Sequence, residues 1–156
     1  MLDFTRDVLA PLLVNQGKKV TRENLIKLAM ERRERTHNGI WAEKLAQIII
    51  MKPHGSFVIS GIRFMEEVEV FRNRLKDDFR LVSVICSDRQ RYERIKKRGT
   101  KGEENLTYEE FLEIEKKPTE SIIGKTIETA DSSVDNNGPR KDLDELVDEL
   151  VKTLKR

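Results

Sequence analysis

Arginine is the residue type whose placement in this chain most directly suggests chemistry. Arg63 follows Ser60-Gly61-Ile62 at the carboxyl end of a predicted strand, the edge where open α/β sheets place their ligands. Arg6 falls in the first turns of the opening helix, and Arg33 lies near the end of the second. Arg91, Arg94 and Arg98 recur at helical spacing, so they share one face of a helix that runs into a polar loop. A guanidinium is planar and permanently charged, and its fork matches two oxygens of a phosphate. The set is therefore read as phosphate recognition. The competing reading is a solvated face, because 37% of all residues are charged.

The other reactive types point elsewhere. His37 and His54 are the two histidines, and neither has a partner at metal-ligand spacing, so no metal site is expected. Cys86 ends an apolar run and reads as a small core residue. As a single cysteine it can form neither an internal disulfide nor a multi-cysteine zinc site. Nothing matches the phosphate-loop pattern GxxxxGK(S/T) or the dinucleotide pattern GxGxxG.

Those residues must be positioned by a small scaffold. A length of 156 residues suits one domain. The 30 basic and 28 acidic side chains nearly cancel, which excludes a strongly basic arm or an acidic tail as the main device. Aromatic residues make up 6% of the chain, and acids interleave the Arg89–Lys101 cluster, so the reading argues against nucleic acid as partner. No secretory leader is recognised, and the longest apolar runs, such as Ile48–Met51, fall far short of the ~20 residues that span a bilayer. A cytoplasmic protein without a membrane partner is expected.

Helical and strand-like signals alternate. Phe4, Val8, Leu9, Leu12 and Leu13 recur at helical spacing, in a stretch opening at Met1-Leu2-Asp3 and stopping at Gly17. Thr21 is a candidate N-cap for a second helix, and Trp41–Met51 form a third, closed by Pro53 and Gly55. Ser56–Ser60 reads as a strand buried on both faces, followed by a helix with Met65, Val68, Phe71 and Leu75 inward. Leu81–Cys86 is the clearest strand, rich in β-branched residues. Asp88 is placed as the cap of the next helix, which ends at Gly99. After a polar loop from Thr100, Thr107 and Glu110 have capping-box spacing, and that helix stops at Pro118. A helix over Ile122–Ala130, a brief strand at Ser133–Asp135 and a turn at Asn136–Pro139 follow. Leu143, Leu146, Val147, Leu150, Val151 and Leu154 then form a helical stripe. The alternation predicts an α/β fold with a parallel sheet, although only two strands are well marked.

The run Val58-Ile59-Ser60-Gly61-Ile62-Arg63-Phe64-Met65-Glu66-Glu67-Val68-Glu69 resembles the archaeal dephospho-CoA-kinase-like and adenylate-kinase-like P-loop nucleotide kinases. In these, a strand ending in Asp-Gly-Ile/Val-Arg precedes an acidic helix. Thr21–Leu25, Asn38–Leu45, Arg91–Gly99, Ile123–Lys125, Ala130-Asp131 and Asn136–Gly138 are similar to further family segments in the same order. The resemblance covers nearly the whole chain. It implies one nucleotide-kinase-like domain over residues 1–156, a three-layer parallel sheet flanked by helices, with a lid-like insertion at about 99–118.

Carried across by position, the resemblance implies Arg6, Arg33 and Arg63 as contacts to a nucleoside monophosphate or dephospho-CoA-like acceptor. It implies Arg94 and Arg98 as lid arginines gathering the transferring phosphoryl group, and Asn137 and Gly138 beside the adenine. ATP and Mg²⁺ are the implied cofactors. Two departures stand out. Ser60 replaces the family's acidic residue, and the family's first strand, phosphate loop and helix would fall upstream of Met1. The expectation is therefore a truncated or degenerate member that binds an acceptor without efficient turnover, since losing even one preorganised donor can cost ~10²–10³ in rate. The two marked strands would then pair directly, or be covered by another chain, or belong to a fragment of a longer product. The alternative function is a non-catalytic binding or assembly protein, such as a homo-oligomer, that uses an exposed sheet edge.

Overall fold

The computed structural model describes residues 1–52, 55–98, 105–116 and 118–154, with the side chains of 118–121 excepted. Pro53, His54, Gly99, Thr100 and the remainder of the expected lid loop to 104 lie outside the described residues. The chain is mixed α/β, mostly helical, with two small parallel sheets. It divides into two compact units, Met1–Phe79 and Arg80–Arg156. Among the described residues no helix is long and apolar enough to cross a membrane.

In the first unit, β1 (Leu2–Asp3) pairs in parallel with β2 (Ile59–Ser60), Leu2 opposite Ile59 and Asp3 opposite Ser60. The Leu2 amide donates to the Val58 carbonyl at 2.7 Å. This corrects the expectation of a helical opening: the helical spacing is real, but it begins only at Phe4. A π-helical turn at Thr5–Leu9 leads into α1 (Ala10–Asn15), then α2 (Arg22–Arg35), α3 (Ile40–Ile50) and α4 (Met65–Leu75). Thr21 caps α2 as expected, its hydroxyl accepting from the Asn24 amide at 3.2 Å. The core gathers Phe4, Val8, Leu13, Trp41, Leu45, Val68 and Phe71 from these elements. Phe71 stacks on Phe79 with ring centres 5.3 Å apart, and the Phe4 ring centre lies 6.4 Å from that of Phe71. Gly39, at the cap of α3, permits close approach to α4: an added Cβ would stand 3.0 Å from the Glu66 carbonyl oxygen and from Val70 Cγ2.

In the second unit, β3 (Val82–Ile85) pairs in parallel with β4 (Ser132–Asp135), Val82 opposite Ser132 and Ile85 opposite Asp135. Each marked strand thus takes its partner inside its own unit. α5 (Asp88–Arg98) packs on α6 (Tyr108–Glu115) through Tyr92, Tyr108 and Phe111, whose rings lie 5.3–6.2 Å apart. The cap of α5 is Ser87 rather than Asp88. The Ser87 hydroxyl accepts from the Gln90 amide, while the Asp88 carboxylate takes the Arg91 guanidinium at 2.7 Å. α7 (Pro118–Glu128) begins at the proline expected to end α6, and α8 (Arg140–Leu154) closes the chain.

The expectation of a Ser56–Ser60 strand buried on both faces is not met. Val58 is 66% exposed and Val84 58%, and Ile85 is exposed as well. A two-stranded sheet has no third strand to cover its flank, whatever the apolar content of its residues. The stripe on α8 is likewise about half open at Leu146, Val147, Val151 and Leu154. At α6 the local chemistry is as expected: the Thr107 hydroxyl accepts from the Glu110 amide at 3.2 Å, and the Glu110 carboxylate accepts from the Thr107 amide at 2.8 Å. Thr107→Ala is expected to cost about 1 kcal/mol. That lowers the calorimetric midpoint by roughly 2–4 °C for a chain of this size, and an unchanged midpoint would refute the reciprocal cap.

Candidate functional site

The carboxyl ends of the two sheets carry the chain's arginine clusters. In the first unit, Asp3 and Ser60 stand opposite each other at the last residues of β1 and β2, with the Ser60 hydroxyl 3.3 Å from the Asp3 carboxylate. The strand end that lacks an acid at position 60 thus has one from the neighbouring strand. Asp3 also accepts from the amides of Thr5 and Arg6 at 2.9 and 3.0 Å, which turns the chain sharply out of β1.

Arg6 follows Asp3 by three residues, and Arg63 follows Ser60 by three. The Arg6 guanidinium grips Asp7 through Nη2 at 2.7 Å and Nε at 3.3 Å, and Nη2 also donates to the Met1 carbonyl. Hydrogen bonding from Arg6, then from the Asp3 amide, holds the Asp7 carboxyl below its ordinary value, and Asp7 raises Arg6 in return. Both groups face solvent, so the pair orients Arg6 more than it stabilises the fold.

Arg63 leaves the strand through Gly61, whose φ of +88° suits a residue without a side chain. Its amide donates to Glu67 Oε2 at 2.9 Å, and the Phe64 amide donates to the same oxygen at 3.2 Å. The other oxygen, Oε1, takes Arg33 Nη2 at 2.9 Å. Arg33 lies 4.7 Å above the Phe64 ring and is 22% exposed, whereas Glu67 is fully buried. Arg33 is therefore tied to the turn that carries Arg63.

Beside them the Asn38 side-chain amide donates to Glu66 at 2.8 Å and, with local backbone bonding, holds that carboxyl below its usual range. A depressed carboxyl contributes stability that is present above its ordinary value and lost as pH falls through the lowered one. The stability gap between wild type and Asn38→Ala in urea unfolding is expected to close between about pH 6 and about pH 3. A gap independent of pH would contradict the charge-assisted bond.

In the second unit, Arg94, Asn137 and Gly138 come together beyond β3 and β4. Arg94 donates to the Gly138 carbonyl at 3.4 Å and lies 3.5 Å from the Cys86 sulfur. The Asn137 side-chain carbonyl accepts the Ser87 amide at 2.8 Å, and its amide group donates to Asp135 at 2.9 Å. Cys86 is half-buried rather than a core residue. Arg98 is exposed one turn farther along α5. Arg91 is drawn to Asp88 and Glu115, which outweigh the effect of its burial and raise its pKa. A depression of about 570 Å³ runs along α6 between Leu106, Glu113 and Lys116, and includes no arginine of either cluster. The strand ends, where several donors are held in place, are the better candidate.

The Arg63 and Phe64 amides are taken by Glu67, the sequence shows no GxxxxGK(S/T) pattern, and among the described residues no three acids, histidines or cysteines gather to hold a metal ion. Held by Glu67, those two amides are not offered to the β- and γ-phosphates of a nucleotide.

Sequence reasoning missed Asp3, Asp7 and Glu67. Asp3 and Asp7 lay inside an expected helix, and Glu67 lay in a run read only as acidic. The signal for Glu67 was an acid at the third helical position, behind a cap residue that cannot itself accept a bond.

No protein-family model matches the chain. It is 31% identical over 147 residues to a UPF0200/UPF0201 protein of Archaeoglobus fulgidus, covering 93% of this chain and 45% of that one. It is 30% identical over 155 residues to a UPF0200 protein of Thermococcus kodakarensis, covering 95% of this chain and 83% of the other. A UPF0200 protein of Methanothermobacter thermautotrophicus is 34% identical over 111 residues, 71% of this chain and 57% of the relative. The chain thus spans just under half of the Archaeoglobus relative.

Proposed function

The chain belongs to the UPF0200 family, and from the arginine geometry at its first sheet we propose that it binds the phosphate group of a mononucleotide or a nucleotide-like ester, on a scaffold akin to the P-loop nucleotide kinases. One observation carries this reading: Arg6 and Arg63 each stand three residues beyond strand ends that face each other in register. Parallel strands present their ligands at this edge, and guanidinium groups there are suited to phosphate oxygens. In the second unit, taken by itself, Arg94 beside Asn137 and Gly138 at the end of β3–β4 is suited to a phosphate of its own. Nucleoside monophosphates and dephospho-CoA are the acceptors this arrangement suits, and the relatives' names neither add to nor limit that choice.

The chain's own residues bind and orient an acceptor. No transfer step is assigned to them. Isothermal titration tests the reading. AMP or dephospho-CoA is expected to bind saturably, and MgATP to give no tight binding and no transfer above background. Tight, Mg²⁺-dependent ATP binding with measurable transfer would overturn the second half. Absence of any acceptor binding would overturn the first.

A second reading is favoured by the exposed Val58 and Val84: a non-catalytic assembly protein that adds a strand to an open sheet edge. Sedimentation velocity over a wide concentration range separates the two, because assembly through that edge predicts concentration-dependent oligomers.

A further inference from the structure

Glu67 is a fully buried carboxylate on α4, and burying such a group is costly unless its oxygens are hydrogen-bonded. Here both oxygens are used, by the amides of Arg63 and Phe64 and by the Arg33 guanidinium. Capping a helix does not require this. A serine, threonine or aspartate at position 64 would cap from the surface, accepting from the Glu66 or Glu67 amide inside the first turn. Phe64 stands there instead, with its ring beneath Arg33. Glu67, Arg33 and Phe64 therefore act together on the turn that leaves β2, and that turn carries Arg63.

We propose that Glu67 and Arg33 are positioning residues for phosphate recognition: they fix the backbone of the turn that carries Arg63, three residues beyond the end of β2. This rests on the acceptor-binding reading above. Glu67 cannot touch a ligand, since none of its surface is open. Arg33 is held by a buried charge rather than offered to the ligand. The influence of both passes through Arg63. An unheld turn would let the Arg63 side chain sample several directions, and each ordered contact would then cost additional entropy on binding.

The test is AMP affinity by isothermal titration, well below the melting midpoint, for wild type, Glu67→Gln, Arg33→Lys and Leu13→Ala. Leu13 is a buried core residue remote in sequence from the turn, and Leu13→Ala reports what loss of stability alone does. Glu67→Gln keeps the size of the side chain but removes the charge that holds both amides and Arg33. It is expected to weaken AMP binding about tenfold or more, Arg33→Lys about threefold or more, and Leu13→Ala to leave affinity unchanged. Wild-type affinity in folded Glu67→Gln overturns the positioning role and leaves the acceptor site standing. Equal losses in Leu13→Ala and Glu67→Gln overturn it too, as a stability effect. A wild type that does not bind AMP overturns both. Should Glu67→Gln not fold, Arg33→Lys against Leu13→Ala decides the question alone.

Discussion

Arg63→Ala is expected to weaken AMP binding by about tenfold to a hundredfold, the range for losing one charge-assisted contact to phosphate of about 1.5–3 kcal/mol. The residue is exposed, so the melting midpoint should move little. Arg63→Lys should recover only part of the loss, because an ammonium group cannot offer two parallel donors. Arg6→Ala should also weaken AMP binding, by less than a contact with an unengaged fork would give, because an anion must compete with Asp7 for the Arg6 guanidinium. Titration calorimetry reads all three. If Arg63→Ala binds AMP as tightly as wild type, the β1–β2 edge is not the phosphate site.

The largest effect on stability is expected at Phe71. It has no exposed surface and packs against Phe79 and Phe4. Phe71→Ala leaves a cavity as well as losing the transfer energy of the ring, about 3–5 kcal/mol together. For a chain of this length that lowers the midpoint by roughly 6–20 °C. Ile26→Ala, at an exposed site on α2, should move it by a degree or so. A Phe71→Ala midpoint close to that of Ile26→Ala would mean that the aromatic stack does not organise the first unit.

The helix caps at Thr21 and Thr107 were legible in the sequence because a cap is made by residues three apart, which any reader of the chain can see together. The parallel pairing of β1 was not. Two residues, Leu2 and Asp3, are too few to show a period, and the helical spacing that follows absorbs them. The exposure of the strands was not legible for a related reason. An apolar β-branched run such as Leu81–Cys86 shows that a strand forms, whereas its exposure depends on how many other strands lie beside it.

The site divides along the same line. The positions of Arg6, Arg33 and Arg63 relative to helices and strand ends could be read directly. Their partners could not, because Arg33 meets Glu67 across 34 positions of sequence, and Ser60 meets Asp3 across 57. The departure at Ser60 looks like a lost carboxylate when the chain is read linearly. With the strands in register, Asp3 stands beside it.

Two units, each with arginines at the carboxyl end of a small parallel sheet, supply the chemistry on which the functional proposal rests. Phosphate recognition at the first of them is its central claim. A titration of AMP followed by ³¹P NMR, with wild type compared to the Arg6→Ala/Arg63→Ala double variant, tests it most directly. The account predicts a saturable shift of the AMP phosphorus resonance with wild type, reversed by excess inorganic phosphate and absent in the double variant. A resonance that stays at its free position with wild type, or shifts equally with both proteins, would contradict it.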